Sequence, residues 1–166
     1  LKRAKELAEE GVELFASSSL KYFLYNQISE DNFDDKTLEK FATLDDYDVL
    51  SAIKEWTNHN DKVLSLLSKM IMNRKLLRIE IQQNEFKKED ILNKITEVSK
   101  KLQLSESESQ FFVFSKRIIN QAYLQEKPIF ILNKEGKLKD IAKASDQLNI
   151  LALTNPVIKH FICYPK

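Results

Sequence analysis

The sequence predicts an α+β fold: an N-terminal helical bundle segment over residues 1–74, followed by a small, mainly antiparallel sheet with helices on one side over residues 75–166. Three observations predict it. Up to Met72 the apolar residues recur at helical spacing, whereas Leu77, Ile79 and Ile81 alternate with Arg78, Glu80 and Gln82 as in a half-buried strand. The runs 129–133 and 137–141 flank Lys134-Glu135-Gly136, a hairpin turn in which glycine supplies a positive φ. Helix and strand meet near Asn73-Arg74 without a Pro/Gly linker, so the two parts are expected to pack rigidly.

Taken in order, the first helix covers 1–15 and sets Leu1, Ala4, Leu7, Ala8 and Leu14 on one face. It shows no N-cap and is expected to begin earlier in the natural protein. The serines of 16–19 cap a second helix over 20–27. Its Leu20, Tyr22, Phe23, Leu24 and Tyr25, with Ile28 beyond, exceed what one face hides, which predicts self-association there. After an acidic turn, Asp34 or Asp35 caps a short helix ending near Phe41. Thr43 caps the next, with Asp45 and Asp46 in its first turn and Val49, Leu50, Ile53 and Trp56 on one face. Asn58-His59-Asn60-Asp61 breaks that helix, and Val63, Leu64, Leu67, Met70 and Ile71 stripe the following one.

A strand over 76–82 leads to a helix over 87–102 with Ile91, Ile95, Val98 and Leu102 inward. Residues 105–109 form a polar loop. The stretch 111–118, apolar on both faces, has the character of a central strand. Residues 120–128 are a loop, with Pro128 at the start of the next strand. Beyond the hairpin, Ser145 caps a brief helix to 151, and 157–164 is the closing strand.

Composition narrows function. The chain has 166 residues, 43% apolar and 31% charged, and fits one well-buried domain or two small lobes. A net charge of +1 gives no field to attract nucleic acid or an anionic membrane. No segment has the roughly twenty apolar residues of a membrane span, and a cytoplasmic location is expected. With one cysteine, Cys163, there is no intramolecular disulfide. Two glycines, Gly11 and Gly136, exclude both glycine-rich phosphate loops.

The order L-D-D-x-x-[IV]-L-x-x-I, a helical hairpin, then R-x-L-[LF]-[KR] is present as Leu44, Asp45, Asp46, Val49, Leu50 and Ile53, then Arg74, Leu76, Leu77 and Arg78. This order resembles the region downstream of the active site in HD-superfamily phosphohydrolases of the deoxynucleoside triphosphate triphosphohydrolase branch. The helix 91–102, the hairpin and the strand 159–164 are similar to that family's C-terminal lobe. The resemblance implies a divalent metal held by a His, a His-Asp doublet and a distant Asp. Here His59 and His160 are the two histidines and neither precedes Asp, so the metal is expected in a catalytic half upstream. It further implies that Arg74 and Arg78 contact an activating nucleotide between subunits of a homo-oligomer, a task suited to planar bidentate donors. The plainer reading pairs Arg74 with Asp45 or Asp46 and leaves Arg78 in solvent.

Two other groupings read as structure. Asp45, Asp46 and Asp48 suit a helix N-terminus, and the glycine and distal glutamate of a calcium loop are absent. Phe111, Phe112, Phe114 and Tyr123 have the residue types of a stacking platform for single-stranded nucleic acid, but adjacent strand residues face opposite ways, so core is preferred. Two functions stand: the noncatalytic C-terminal portion of an HD-type phosphohydrolase with a packing, assembly or regulatory role, or an autonomous α+β interaction module.

Overall fold

The computed structural model describes residues 1–120, 129–144 and 156–166. Helix α1, Lys2–Glu9, stops well short of Phe15. The reason is Gly11, which adopts φ 83° and sends its N–H to the Ala8 carbonyl while Val12 N–H reaches Leu7. That left-handed closure satisfies the end of α1 and turns the chain away. The loop that follows is pinned by Tyr25, whose hydroxyl donates to Val12 O and accepts from Leu14 N–H.

Helices α2 (Ser18–Tyr25), α3 (Asp35–Ala42), α4 (Asp46–Trp56) and α5 (Lys62–Met72) follow, with a 3-10 turn at Glu30–Asn32. Ser17, Asp34, Asp45 and Asp61 cap them by accepting first-turn N–H groups. The cap of α4 is therefore Asp45, in a reciprocal box with Asp48, and not Thr43. Thr43 instead closes α3, and its hydroxyl meets that of Ser19 at 2.8 Å. The apolar surface of α2 is partly absorbed within the chain, with Tyr22, Phe23, Tyr25 and Ile28 half-buried. Leu20 and Leu24 are buried and the Tyr22 hydroxyl bonds Thr37.

From α5 the chain enters β1 (Arg78–Gln82), α6 (Lys88–Leu102), α7 (Glu106–Ser109) and β2 (Phe114–Asn120). Then come β3 (Phe130–Leu132), β4 (Leu138–Asp140), α8 (Ile141–Ala144) and β5 (Val157–Tyr164). The short helix α7 replaces the expected polar loop, capped by a box in which Ser105 and Glu108 exchange bonds. Strand β2 begins at Phe114; Phe111 to Val113 form the turn before it, where Phe112 and Val113 are buried. All sheet pairs are antiparallel, in the order β1-β5-β2, with β3-β4 as a separate hairpin. Among the described residues the central strand is thus β5, and the phenylalanine-rich segment leads into an edge. The expected helix from Ser145 lies outside the described residues.

Two apolar clusters form. One joins α1, α2 and α4 around Trp56; the other joins α6, the 111–113 turn and β5 around Phe112. Helix α5 serves both, with Leu64 in the first and Val63 in the second.

Candidate functional site

Helix α5 ends in the same left-handed closure as α1, but with arginine in place of glycine. Arg74 has φ 53°, its N–H reaches Ile71 O, and Lys75 N–H reaches Met70 O. A side chain here costs about 1 kcal/mol relative to glycine. Arg74 is exposed, and among the described residues its guanidinium makes no hydrogen bond or ion pair. Asp45 is committed to the backbone of α4. Replacing Arg74 by glycine is therefore expected to raise the melting temperature by about 2–4 °C. A thermal melt showing no rise would mean that the arginine relieves the strain through contacts of its own.

Arg78 begins β1, with Nε 3.5 Å from Glu80 Oε1. The same carboxylate oxygen accepts a hydrogen bond from the Tyr164 hydroxyl of β5. That bond, together with burial, pushes the phenol pKa up. Lys94 lies over the Tyr164 ring, 4.6 Å from its centre, and bonds Glu97 at 2.9 Å. Arg78 thus stands at the head of a linked polar chain running from β1 through β5 to α6.

This chain borders a cleft of about 400 Å³ between β1, β5 and α6. Asp90, Asn93, Lys94 and Glu97 recur at helical spacing along one side of α6, opposite Glu80 and Gln82. Phe86 and Ile162 supply an apolar wall. Neither arginine lines the cleft, but Arg78 touches its rim through Glu80. Sequence reasoning missed Glu80, Lys94 and Tyr164. The polar stripe on α6 was visible, but nothing local showed which strand it would face.

The histidines play other parts. His59 Nδ1 accepts the Asp61 N–H at 2.9 Å, tightening the turn before α5. His160 lies in β5 between Gln82 and Arg117. Among the described residues no three His, Cys, Asp or Glu side chains are grouped to hold a metal ion. Burial pushes the Cys163 thiol pKa up, away from nucleophilic character. No helix among them is long and apolar enough to cross a membrane.

No family model matches the sequence, and no curated protein matches it. Among solved structures, the crystal structure of a phosphohydrolase from Bacteroides thetaiotaomicron VPI-5482 is similar over 99% of this chain, with 41% identity and a TM-score of 0.84. The chain has a phosphohydrolase-related fold. It spans 41% of that phosphohydrolase's length.

Proposed function

We propose that this chain is a noncatalytic, C-terminal portion of an HD-type, metal-dependent phosphohydrolase acting on nucleotides, of the deoxynucleoside triphosphate triphosphohydrolase kind, with a packing, assembly or regulatory role. The observation that carries this reading is the 41% identity to a phosphohydrolase across 99% of the chain. The sequence order from Leu44 to Arg78 supports the HD branch.

Residues present here do not fit the catalytic metal. His59 spends its Nδ1 lone pair on a backbone N–H, and no convergent ligand set exists among the described residues. In this reading the divalent ion belongs to the catalytic half, in a cytoplasmic homo-oligomer. Arg74 and Arg78 give this portion its regulatory role by holding the phosphates of a nucleotide effector. A guanidinium without a partner among the described residues, kept at a strained backbone position, supports that role for Arg74.

Two measurements test the reading. The 166-residue chain alone is expected to show no turnover of dGTP or of simple phosphate esters with Mn²⁺, Mg²⁺ or Ni²⁺. Turnover abolished by substituting His59 or His160 would overturn it. In the complete enzyme, Arg74→Ala with Arg78→Ala is expected to raise the half-saturating concentration of a deoxynucleotide activator at least tenfold, about 1.4 kcal/mol. Unchanged activation would remove the regulatory role.

A further inference from the structure

One edge of β1 pairs with β5, and among the described residues the other edge pairs with nothing. An open edge offers a row of unsatisfied N–H and C=O groups to another strand. β1 reads Arg78-Ile79-Glu80-Ile81-Gln82, without a proline to block pairing. Ile79 and Ile81 are 51% and 53% exposed, and the Leu76 just before them is 66% exposed. Register with β5 sets Ile79 and Ile81 on the same sheet face as Phe161 and Cys163, and on β2 that face carries Phe114 and Ile118 with Lys116 between them.

We propose that two copies of this chain associate by pairing their β1 edges antiparallel about a two-fold axis through Ile79. Charge selects this partner and this register. With Ile79 on the axis, Arg78 lies opposite the partner's Glu80, and Glu80 lies opposite the partner's Arg78. Leu77 then faces the partner's Ile81, and the apolar faces of the two sheets become one continuous surface. With Glu80 on the axis instead, two carboxylates oppose each other, which is unfavourable. A one-residue slip turns the apolar residues of the two copies to opposite faces. Within one chain the Arg78–Glu80 contact is long, at 3.5 Å, and exposed, so little is lost when Arg78 takes a new partner. A net charge of +1 leaves no long-range repulsion between copies. Nothing in this pairing depends on the phosphohydrolase similarity.

Light scattering of the 166-residue chain is expected to give twice the single-chain mass at high concentration. Arg78→Glu sets like charges opposite one another and is expected to weaken the dimer at least tenfold. Adding Glu80→Arg is expected to restore it. Because Glu80 also accepts from Tyr164, a second arm leaves both charges intact. Ile79→Cys is expected to cross-link to itself on mild oxidation, as directly opposite residues lie about 4.5–5.5 Å apart. Cys163→Ala must accompany it, since Cys163 is the neighbour of Ile79 in β5. A single-chain mass at high concentration would overturn the proposal. A dimer that neither cross-links through residue 79 nor recovers on charge exchange would overturn it equally, leaving the edge to a different partner.

Discussion

Replacing Trp56 by alanine is expected to destabilise the chain by about 3–5 kcal/mol. Trp56 is 2% exposed and sits in the cluster that gathers Ala4, Leu7, Leu20, Leu24, Ile53 and Leu64. Its removal empties the middle of three helices, of which α2 and α4 are held by their own N-caps and α1 by the Gly11 closure, so collapse into the cavity is restricted. The indole also donates from Nε1 to the Phe15 carbonyl at 2.9 Å, holding the segment after Gly11 against α4. Trp56→Phe separates the two contributions: it keeps most of the apolar volume but loses the hydrogen bond, and about 1–2 kcal/mol of loss is expected. Urea unfolding followed by circular dichroism measures both, since the chain has one tryptophan and the variants lose its fluorescence. A loss below about 1 kcal/mol for the alanine variant would show that the helical part does not depend on this side chain.

Trp56 was readable in advance because its partners on α4, Val49 and Ile53, lie at helical spacing. The same periodicity gave the inward stripe of α6, and glycine gave the β3-β4 turn. Where the reading went astray, two local rules competed. Thr43 and Asp45 are both competent caps, and the reciprocal bond from Asp48 decides for Asp45. Ser105 and Glu108 carried the same box signature, but their polar surroundings looked like a loop. The placement of β2 at an edge was not encoded locally at all. Phe112 and Val113 are buried because they pack under α6 in the turn, and consecutive apolar residues look alike in a turn and in a central strand. At the candidate site, the resemblance marked Arg74 and Arg78, whereas the left-handed backbone of Arg74 and the Glu80–Tyr164 link arise from tertiary closure.

Asp61 presents a pH-dependent case of such closure, joining residues 58 positions apart. It caps α5 by accepting Leu64 N–H at 2.8 Å, and its other oxygen accepts from Arg3 Nη2 at 2.7 Å and Nε at 3.2 Å. Arg3 in turn lies 5.9 Å from the centre of the Phe111 ring, so the pair ties α1 and α5 to the turn before β2. Burial alone would raise the Asp61 pKa, but the bonds from Arg3 and Leu64 outweigh it and hold the carboxyl below its ordinary value. A depressed folded-state pKa means that the unfolded chain takes up the proton first as acid is added. The stabilisation is therefore fully present above the unfolded value of about 4 and is lost as pH falls through the lower folded value. Asp61→Ala removes both cap and ion pair, and a loss of about 2–3 kcal/mol at neutral pH is expected. Asp61→Asn keeps an oxygen for the cap and removes only the charge, so its deficit is expected to be smaller and to shrink toward zero below about pH 4. Urea unfolding of the wild-type chain and the asparagine variant from pH 7 down to the acid limit of folding measures this convergence. Parallel curves would mean that Arg3 gains nothing from the charge, and that α1 is held to α5 by apolar contacts alone.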